Sequence, residues 1–358
     1  MKKIYYLSSI IGIFIILIIV RLLTVETDLV GIEKFKVIVP KTIQAKINNL
    51  KSKIFEGKRL HVKNFEVNSV QHEFYKYYIS EENKEVSLNK PTGYLEQFEE
   101  KVLFVSGRGT FSFLNVNDLD KKKINFQKIN NNFIEVIKND ANLIQRGPFG
   151  IRDIIIDNNF LYLSYQKKIS ENCYNLAIIR SKVDFNFLKF EDFFTFKECS
   201  SKKNGAWAVL SGGRIVIKDN SIFFTIGEMA LRDIAQNNDS YFGKLIKIDL
   251  KNPNKAQVIA KGLRNAQGLF YDKEKDLFFI TDHAEVGGDE INIFKVSGNI
   301  KNFGWPLASY GKPYKNKPNN YFKSHKDNGF IEPAFYFKKE NVGISQFIDY
   351  ELKEDKFR

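Results

Sequence analysis

The sequence has 358 residues, with 55 Lys and Arg against 42 Asp and Glu, a formal net charge of +13. Hydrophobic residues at 43% and charged residues at 27% permit a globular core and exclude wholesale disorder. Two Cys and four His exclude a disulfide-dense scaffold and a zinc-ribbon array, and they leave few imidazoles for catalysis. The basic surplus is scattered Lys among Asn and Ile, with no basic block or helix, so it reads as a solvated surface and no nucleic-acid partner is expected. The 33 Phe and 16 Tyr favour β structure.

In chain order, the first feature is an uncharged run from Ile4 to Val20, preceded by Lys2 and Lys3 and followed by Arg21. Residues 1–25 read as a signal anchor or transmembrane helix; a cleaved signal peptide is the alternative. No small-x-small cleavage site follows the run, which favours the anchor. Positive charge on the short N-terminal side places the rest of the chain outside the cytoplasm, on the periplasmic face of the inner membrane. Residues 26–85 read as a linker and N-terminal segment. Lys41–Lys53 carries a weak helical pattern (Ile43, Ile47, Leu50, with Ile54 beyond it), and Asn64–Ser80 is expected to form a first strand pair.

Residues 86–358 are expected to be all-β. Four segments share one pattern: a Gly, an apolar strand, a polar turn, then a more aromatic strand. Gly150 precedes Ile154-Ile155-Ile156, Asp157-Asn158-Asn159 and Phe160–Tyr165. Gly213 precedes Ile215-Val216-Ile217, Lys218-Asp219-Asn220 and Ile222–Ile226. Gly268 precedes Leu269-Phe270-Tyr271, Asp272–Asp276 and Leu277–Thr281. A weaker copy runs from Gly93 to Val105. Asn/Asp/Lys turns between β-branched and aromatic runs signal hairpins, and a hairpin repeated every ~55–60 residues is the pattern of propeller blades. No amphipathic helix recurs between strands, which disfavours a parallel α/β fold. Cys173 and Cys199 flank the strand-like runs Tyr174–Val183 and Phe190–Phe196. A hairpin turning near Asn186 would set them opposite each other, where a disulfide is plausible outside the cytoplasm. Two free thiols are the alternative.

Four local signatures follow between Ser211 and Gly311. They are Ser211-Gly212-Gly213-Arg214 leading to Thr225-Ile226-Gly227-Glu228; Gly243-Lys244-Leu245-Ile246-Lys247-Ile248-Asp249; Gly262-Leu263-Arg264-Asn265-Ala266-Gln267-Gly268; and Asp282-His283-Ala284-Glu285-Val286-Gly287-Gly288-Asp289-Glu290-Ile291-Asn292 with Asn302-Phe303-Gly304-Trp305-Pro306. In order and spacing these resemble the glucose/sorbosone dehydrogenase family, the soluble PQQ-dependent aldose dehydrogenases. The resemblance implies a six-bladed β-propeller, PQQ and calcium as cofactors, and oxidation of a sugar or related alcohol. In that chemistry a histidine accepts the proton of the sugar hydroxyl, as suits imidazole near neutral pH.

Carried over position by position, the resemblance puts Leu210 where the base histidine stands, and leucine cannot accept a proton. His283 is a weak substitute. The cofactor-contacting positions implied are Arg264, Asn265, Glu228, His283 and Arg214. The calcium loop, with Gly-Pro in relatives, reads Ala284-Glu285 here, which implies backbone carbonyls and possible help from the Glu285 carboxylate. A second, structural calcium is implied on Glu290 and the Phe303 carbonyl. After the polar stretch 312–328, Ile331–Tyr336 and Val342–Ser345 look like the opening of a further blade. The chain then stops at Arg358, so four to five blades are expected and the chain reads as a C-terminally truncated member. The reading is thus a membrane-anchored sugar dehydrogenase-like propeller, impaired by Leu210. A non-catalytic binding propeller with a sugar or other small-molecule ligand is the alternative, and a calcium-dependent propeller hydrolase or lactonase is the third.

Overall fold

The structure, a computed structural model, describes residues 60–67, 70–76, 93–107, 109–137, 150–171, 173–201, 210–314, 320–338 and 342–346. The expected anchor at Ile4–Val20 and the helical pattern at Lys41–Lys53 lie outside them. Among the described residues no helix is long and apolar enough to cross a membrane. The chain divides into two compact units after Ile129.

In the first unit, β1 (Leu60–Val67) and β2 (Val70–Lys76) form an antiparallel hairpin. This is the strand pair expected at Asn64–Ser80, begun four residues earlier. The strands β3 (Gly93–Phe98), β4 (Lys101–Ser106), β5 (Phe111–Asn115) and β6 (Gln127–Lys128) form a four-stranded antiparallel meander. Its buried side includes Leu103, Val105, Phe111 and Phe113.

The second unit opens with β7 (Asn130–Asn131) and one helical turn, α1 (Phe133–Val136), whose first N–H donates to Asn131 Oδ1. The next sheet is built from β8 (Ile151–Asp157), β9 (Phe160–Ser170) and β10 (Cys173–Lys182). After β11 (Phe187–Leu188), which pairs with β7, the strands β12 (Glu191–Phe194) and β13 (Ser200–Ser201) both return antiparallel to β10. That return brings Cys173 and Cys199 together, and they are disulfide-bonded. The following sheet holds β14 (Gly212–Lys218), β15 (Ser221–Ile226), β16 (Lys244–Asp249) and β17 (Ala256–Lys261). The last holds β18 (Ala266–Asp272), β19 (Leu277–Asp282) and β20 (Glu290–Phe294). Two short strands finish these sheets. β21 (Lys301–Asn302) runs parallel to β17, and β22 (Phe335–Tyr336) runs antiparallel to β20.

Four blade-type sheets are therefore present among the described residues, and each repeat seen in the sequence is the first hairpin of one. The turns explain why. Asn158 and Asn159 have φ of 45° and 62°, and Asp219 and Asn220 have 49° and 55°. Two consecutive left-handed residues make the turn whose twist matches paired strands, and Asn and Asp tolerate it best.

One expectation is corrected. Phe335-Tyr336 does not open a further blade; it pairs with Glu290 and Ile291 as the outer edge of the last described sheet. Val342–Gln346 does lie along β18, where Gln346 Oε1 accepts the Leu269 N–H and Ser345 O accepts the Thr281 hydroxyl.

Adjacent sheets of the second unit meet along β8, β14 and β18. The Gly213 carbonyl accepts the Ser164 hydroxyl at 2.5 Å, and Thr225 Oγ1 donates to Ala266 O at 3.0 Å. At Gly213 φ is +104°, and a Cβ there would overlap the Arg152 side chain. The glycine that begins this repeat is thus required by close approach as well as by conformation. Between β15–β17 and β18–β20 lies a core of Phe223, Leu245, Leu263, Leu269, Phe278, Phe294 and Phe303. Phe223 and Phe278 meet at 4.6 Å between ring centroids.

Candidate functional site

Strand ends of neighbouring blades place the candidate residues. Asp282 ends β19 and is buried. Its two carboxylate oxygens accept the backbone N–H groups of Arg264 (2.8 Å) and Asn265 (2.6 Å). This fixes the start of β18 against the loop that follows β19. Asn265 extends the tie, since its Oδ1 accepts the Gly212 N–H at 3.2 Å. Asn265 is a strut between blades.

Arg264, held in this way, turns its guanidinium onto the loop. Its Nη1 donates to His283 O at 2.7 Å and to Ala284 O at 2.6 Å. Its Cζ lies 5.4 Å from the Trp305 ring and 5.9 Å from the Tyr314 ring. A second guanidinium, Arg232, stands 4.6 Å from Trp305 and 5.1 Å from Tyr321. It pairs with Glu285 Oε1 at 3.2 Å and donates to Tyr321 Oη at 2.7 Å. The other Glu285 oxygen accepts the Tyr321 hydroxyl (2.6 Å) and the Tyr314 N–H (3.2 Å). Two arginines, an indole, two phenols and a buried carboxylate thus form one network.

Glu228 completes it. Its Oε2 accepts the Trp305 Nε1–H at 2.5 Å, and its own N–H donates to Arg264 O. Burial pushes its carboxyl up to about 7, against the indole donor and the two arginines. The folded chain therefore holds a proton that the unfolded chain releases above pH ~4.5. Stability from this group is full below about 4.5 and is lost as pH rises through about 7. Glu228→Gln cannot lose that proton. Its stability relative to the parent should rise across this window by about 3 kcal/mol at most. Urea unfolding midpoints at pH 4.5, 6 and 8 check it; a constant difference contradicts it.

His283 is oriented by Asp289, whose Oδ1 lies 2.8 Å from its Nδ1. Asp289 is fully buried and also accepts the N–H groups of Ala284 (2.9 Å) and Gly343 (2.7 Å). Burial raises its carboxyl, but these donors outweigh it and hold it below the usual range. The His283 side chain keeps 25% exposure, so its far nitrogen is the open end of an imidazole–carboxylate pair. Leu210 has φ of +55°, and its carbonyl accepts the Met229 N–H at 3.0 Å, beside Glu228.

A family model described as Glucose / Sorbosone dehydrogenase matches residues 120–357. The chain belongs to this family. It is 27% identical over 230 residues to the aldose sugar dehydrogenase YliI of Escherichia coli (strain K12), covering 59% of this chain and 60% of that protein. It thus spans about 60% of the length of this curated relative. The crystal structure of the soluble aldose sugar dehydrogenase from Escherichia coli in the apo-form superposes with a TM-score of 0.52 at 21% identity, over 69% of this chain and 72% of that one. A glucose dehydrogenase crystal structure gives 0.54 at 20%, over 70% and 72%. At these identities the structural likeness shows the fold.

Measured against the glucose/sorbosone dehydrogenase pattern, the expected residues divide. Arg264, Glu228, His283, Ala284 and Glu285 are held in one neighbourhood. Arg214 is spent elsewhere. Its guanidinium pairs with Asp153 at 2.8 Å and donates to the carbonyls of Gln267 and Arg152 and to Ser345 Oγ. It therefore locks blades together. Phe303 packs its ring into the core, 5.3 Å from Phe294. Glu290 is buried, and burial with Asp282 nearby raises its carboxyl well above the usual range.

The residues of this network do not fit the family's calcium-bound quinone. The Ala284 carbonyl faces a guanidinium, and the Glu285 carboxylate is neutralised by Arg232. Around Glu290 the reverse holds. Asn292 Oδ1 and both His325 ring nitrogens are buried without a hydrogen-bond partner, so this interior position fits a cation. Arg232, Tyr321 and Asp289 were not singled out from sequence. Arg232 opens a short 3-10 turn, Arg232–Gln236, in a loop whose sequence carries no motif.

Proposed function

We propose that this sugar dehydrogenase-like propeller acts outside the cytoplasm, where it binds a sugar or related polyol at its mouth without oxidising it through the family's quinone. The observation that carries this reading is Leu210. An alkyl side chain stands where a proton acceptor is needed, and nothing in it can take the hydroxyl proton. The commitment of Arg264 and Glu285 to internal partners supports the same conclusion. A polyol would meet the half-exposed Tyr314 ring and the open nitrogen of His283, with Arg264 beneath. Aromatic faces and fixed polar groups are what sugar recognition requires. The uncharged run Ile4–Val20 behind Lys2 and Lys3 supports a membrane tether with the propeller on the periplasmic side. The Cys173–Cys199 disulfide suits an oxidising compartment.

A second reading keeps oxidation, with PQQ and calcium bound and His283 as the base. The Asp289 contact favours it, since a carboxylate on one ring nitrogen readies the other to accept a proton. One assay separates the two. The purified full chain is supplied with PQQ and calcium, and aldose-dependent dye reduction is measured. The proposal expects no turnover and no shift of the quinone absorbance, in the parent and in Leu210→His alike. Turnover in the parent overturns it; turnover in Leu210→His alone would overturn only the part that denies the quinone a place, leaving Leu210 as the lost base.

A further inference from the structure

The two residues that flank Cys199 both grip a loop of the next blade. Ser200 is fully buried and donates its hydroxyl to Met229 O at 2.9 Å. Glu198 accepts the Ser240 hydroxyl on both carboxylate oxygens, at 2.7 and 2.9 Å, and the Tyr241 N–H at 3.2 Å. Cys199, between them, is bonded to Cys173. The gripped loop joins β15 to β16 and carries Glu228 and Arg232.

That loop needs to be held. Met229 and Ala230 have φ of 46° and 59°, left-handed values that residues other than glycine keep only when their surroundings hold them. Towards β16, the fully buried Lys244 donates from Nζ to Phe242 O at 2.7 Å and to Ile234 O and Ala235 O at 3.0 Å each. It thereby ties the stretch that Glu198 fixes to the turn Arg232–Gln236. That turn presents Arg232 to Glu285, Tyr321 and Trp305. At the other end Glu228, one residue before Met229, accepts the Trp305 indole N–H. The segment 198–200 thus bears on both arms of the network.

Few contacts hold that segment in turn. β13 pairs with β10 over two residues, Ser200 with Tyr174 and Ser201 with Cys173. Asn175 Nδ2 donates to Phe196 O at 2.6 Å and to Glu198 O at 3.0 Å. The disulfide is the covalent member of this small set. Neither cysteine is fully buried, which leaves the bond within reach of a small dithiol.

We infer that Glu198 and Ser200 are positioning residues for the Glu228–Arg232 network, and that the Cys173–Cys199 bond makes their grip depend on its redox state. A dithiol reductant supplies two electrons and two protons. The S–S bond breaks, two thiols form, and the reductant closes to its own disulfide. The loop then opens locally, while the sheet of β18–β20 stays closed. The inference concerns how the network is held and does not depend on which ligand it binds.

The test follows amide hydrogen exchange in the full chain by mass spectrometry, oxidised and dithiol-reduced, well below the melting temperature. Exchange within 229–242 should quicken about tenfold on reduction, with 277–294 unchanged. Glu198→Ala with Ser200→Ala should show the same fast loop with the disulfide intact, and reduction should then add little. With Trp207→Phe leaving Trp305 as the single tryptophan, acrylamide should quench its fluorescence more steeply once the bond is open. Unchanged loop exchange, equal quickening in both segments or unchanged Trp305 quenching each overturns the inference. If the double alanine variant fails to fold, the oxidised and reduced parent still decide it.

Discussion

Asp153→Ala is expected to be the most damaging single substitution described here, at about 3–5 kcal/mol. Asp153 accepts Arg214 Nη1 at 2.8 Å and the Ile215 N–H at 2.9 Å, so it joins β8 to β14 twice. Burial pushes its carboxyl up more than Arg214 pulls it down, which means that the pair as a unit contributes little. Breaking it is different. Alanine leaves a nearly buried guanidinium without its counter-ion and a backbone donor without an acceptor. The double replacement Asp153→Leu with Arg214→Met removes both charges and should recover much of the loss. Urea unfolding of the parent, single and double variants gives the comparison; a single variant within 1 kcal/mol of the parent contradicts the account.

Removing the disulfide, by Cys173→Ser with Cys199→Ser, is expected to cost about 3.5 kcal/mol in the chain-entropy description for a 26-residue separation. In a domain of this size that lowers the melting temperature by on the order of 10 °C. The bond closes β10 against the segment before β13 at the outer edge of its blade. The loss should therefore appear in the parent on reduction by dithiothreitol, and the serine variant should not respond to the reductant. Equal melting temperatures with and without reductant would contradict this.

The blade hairpins were legible because they are local. Asn158-Asn159 and Asp219-Asn220 specify their turns, and the flanking runs specify the strands. The Cys173–Cys199 pairing was legible for the same reason, since one meander places both residues. Non-local choices were not. Phe335-Tyr336 has the same composition whether it opens a blade or edges one, and only its pairing with Glu290 and Ile291 decides. Arg214 stands in a site motif, yet its partner Asp153 lies 61 residues away and takes it from the mouth. Arg232 gave no signal at all. Its role depends on Trp305, Tyr321 and Glu285 converging from loops distant in sequence. Leu210 departs from what the family resemblance implies at its position, and the proposal of lost oxidation rests on it.

That departure is the centre of the functional account, and one measurement addresses it most directly. The full chain, with PQQ and calcium supplied, is titrated with an aldose while tryptophan fluorescence and dye reduction are recorded together. The account predicts a saturable change in tryptophan fluorescence that is lost in Trp305→Phe, since Trp305 donates to Glu228 and lies against the Arg232 and Arg264 guanidinium groups, with no dye reduction above a protein-free control. Sustained aldose-dependent dye reduction by the parent chain would contradict it.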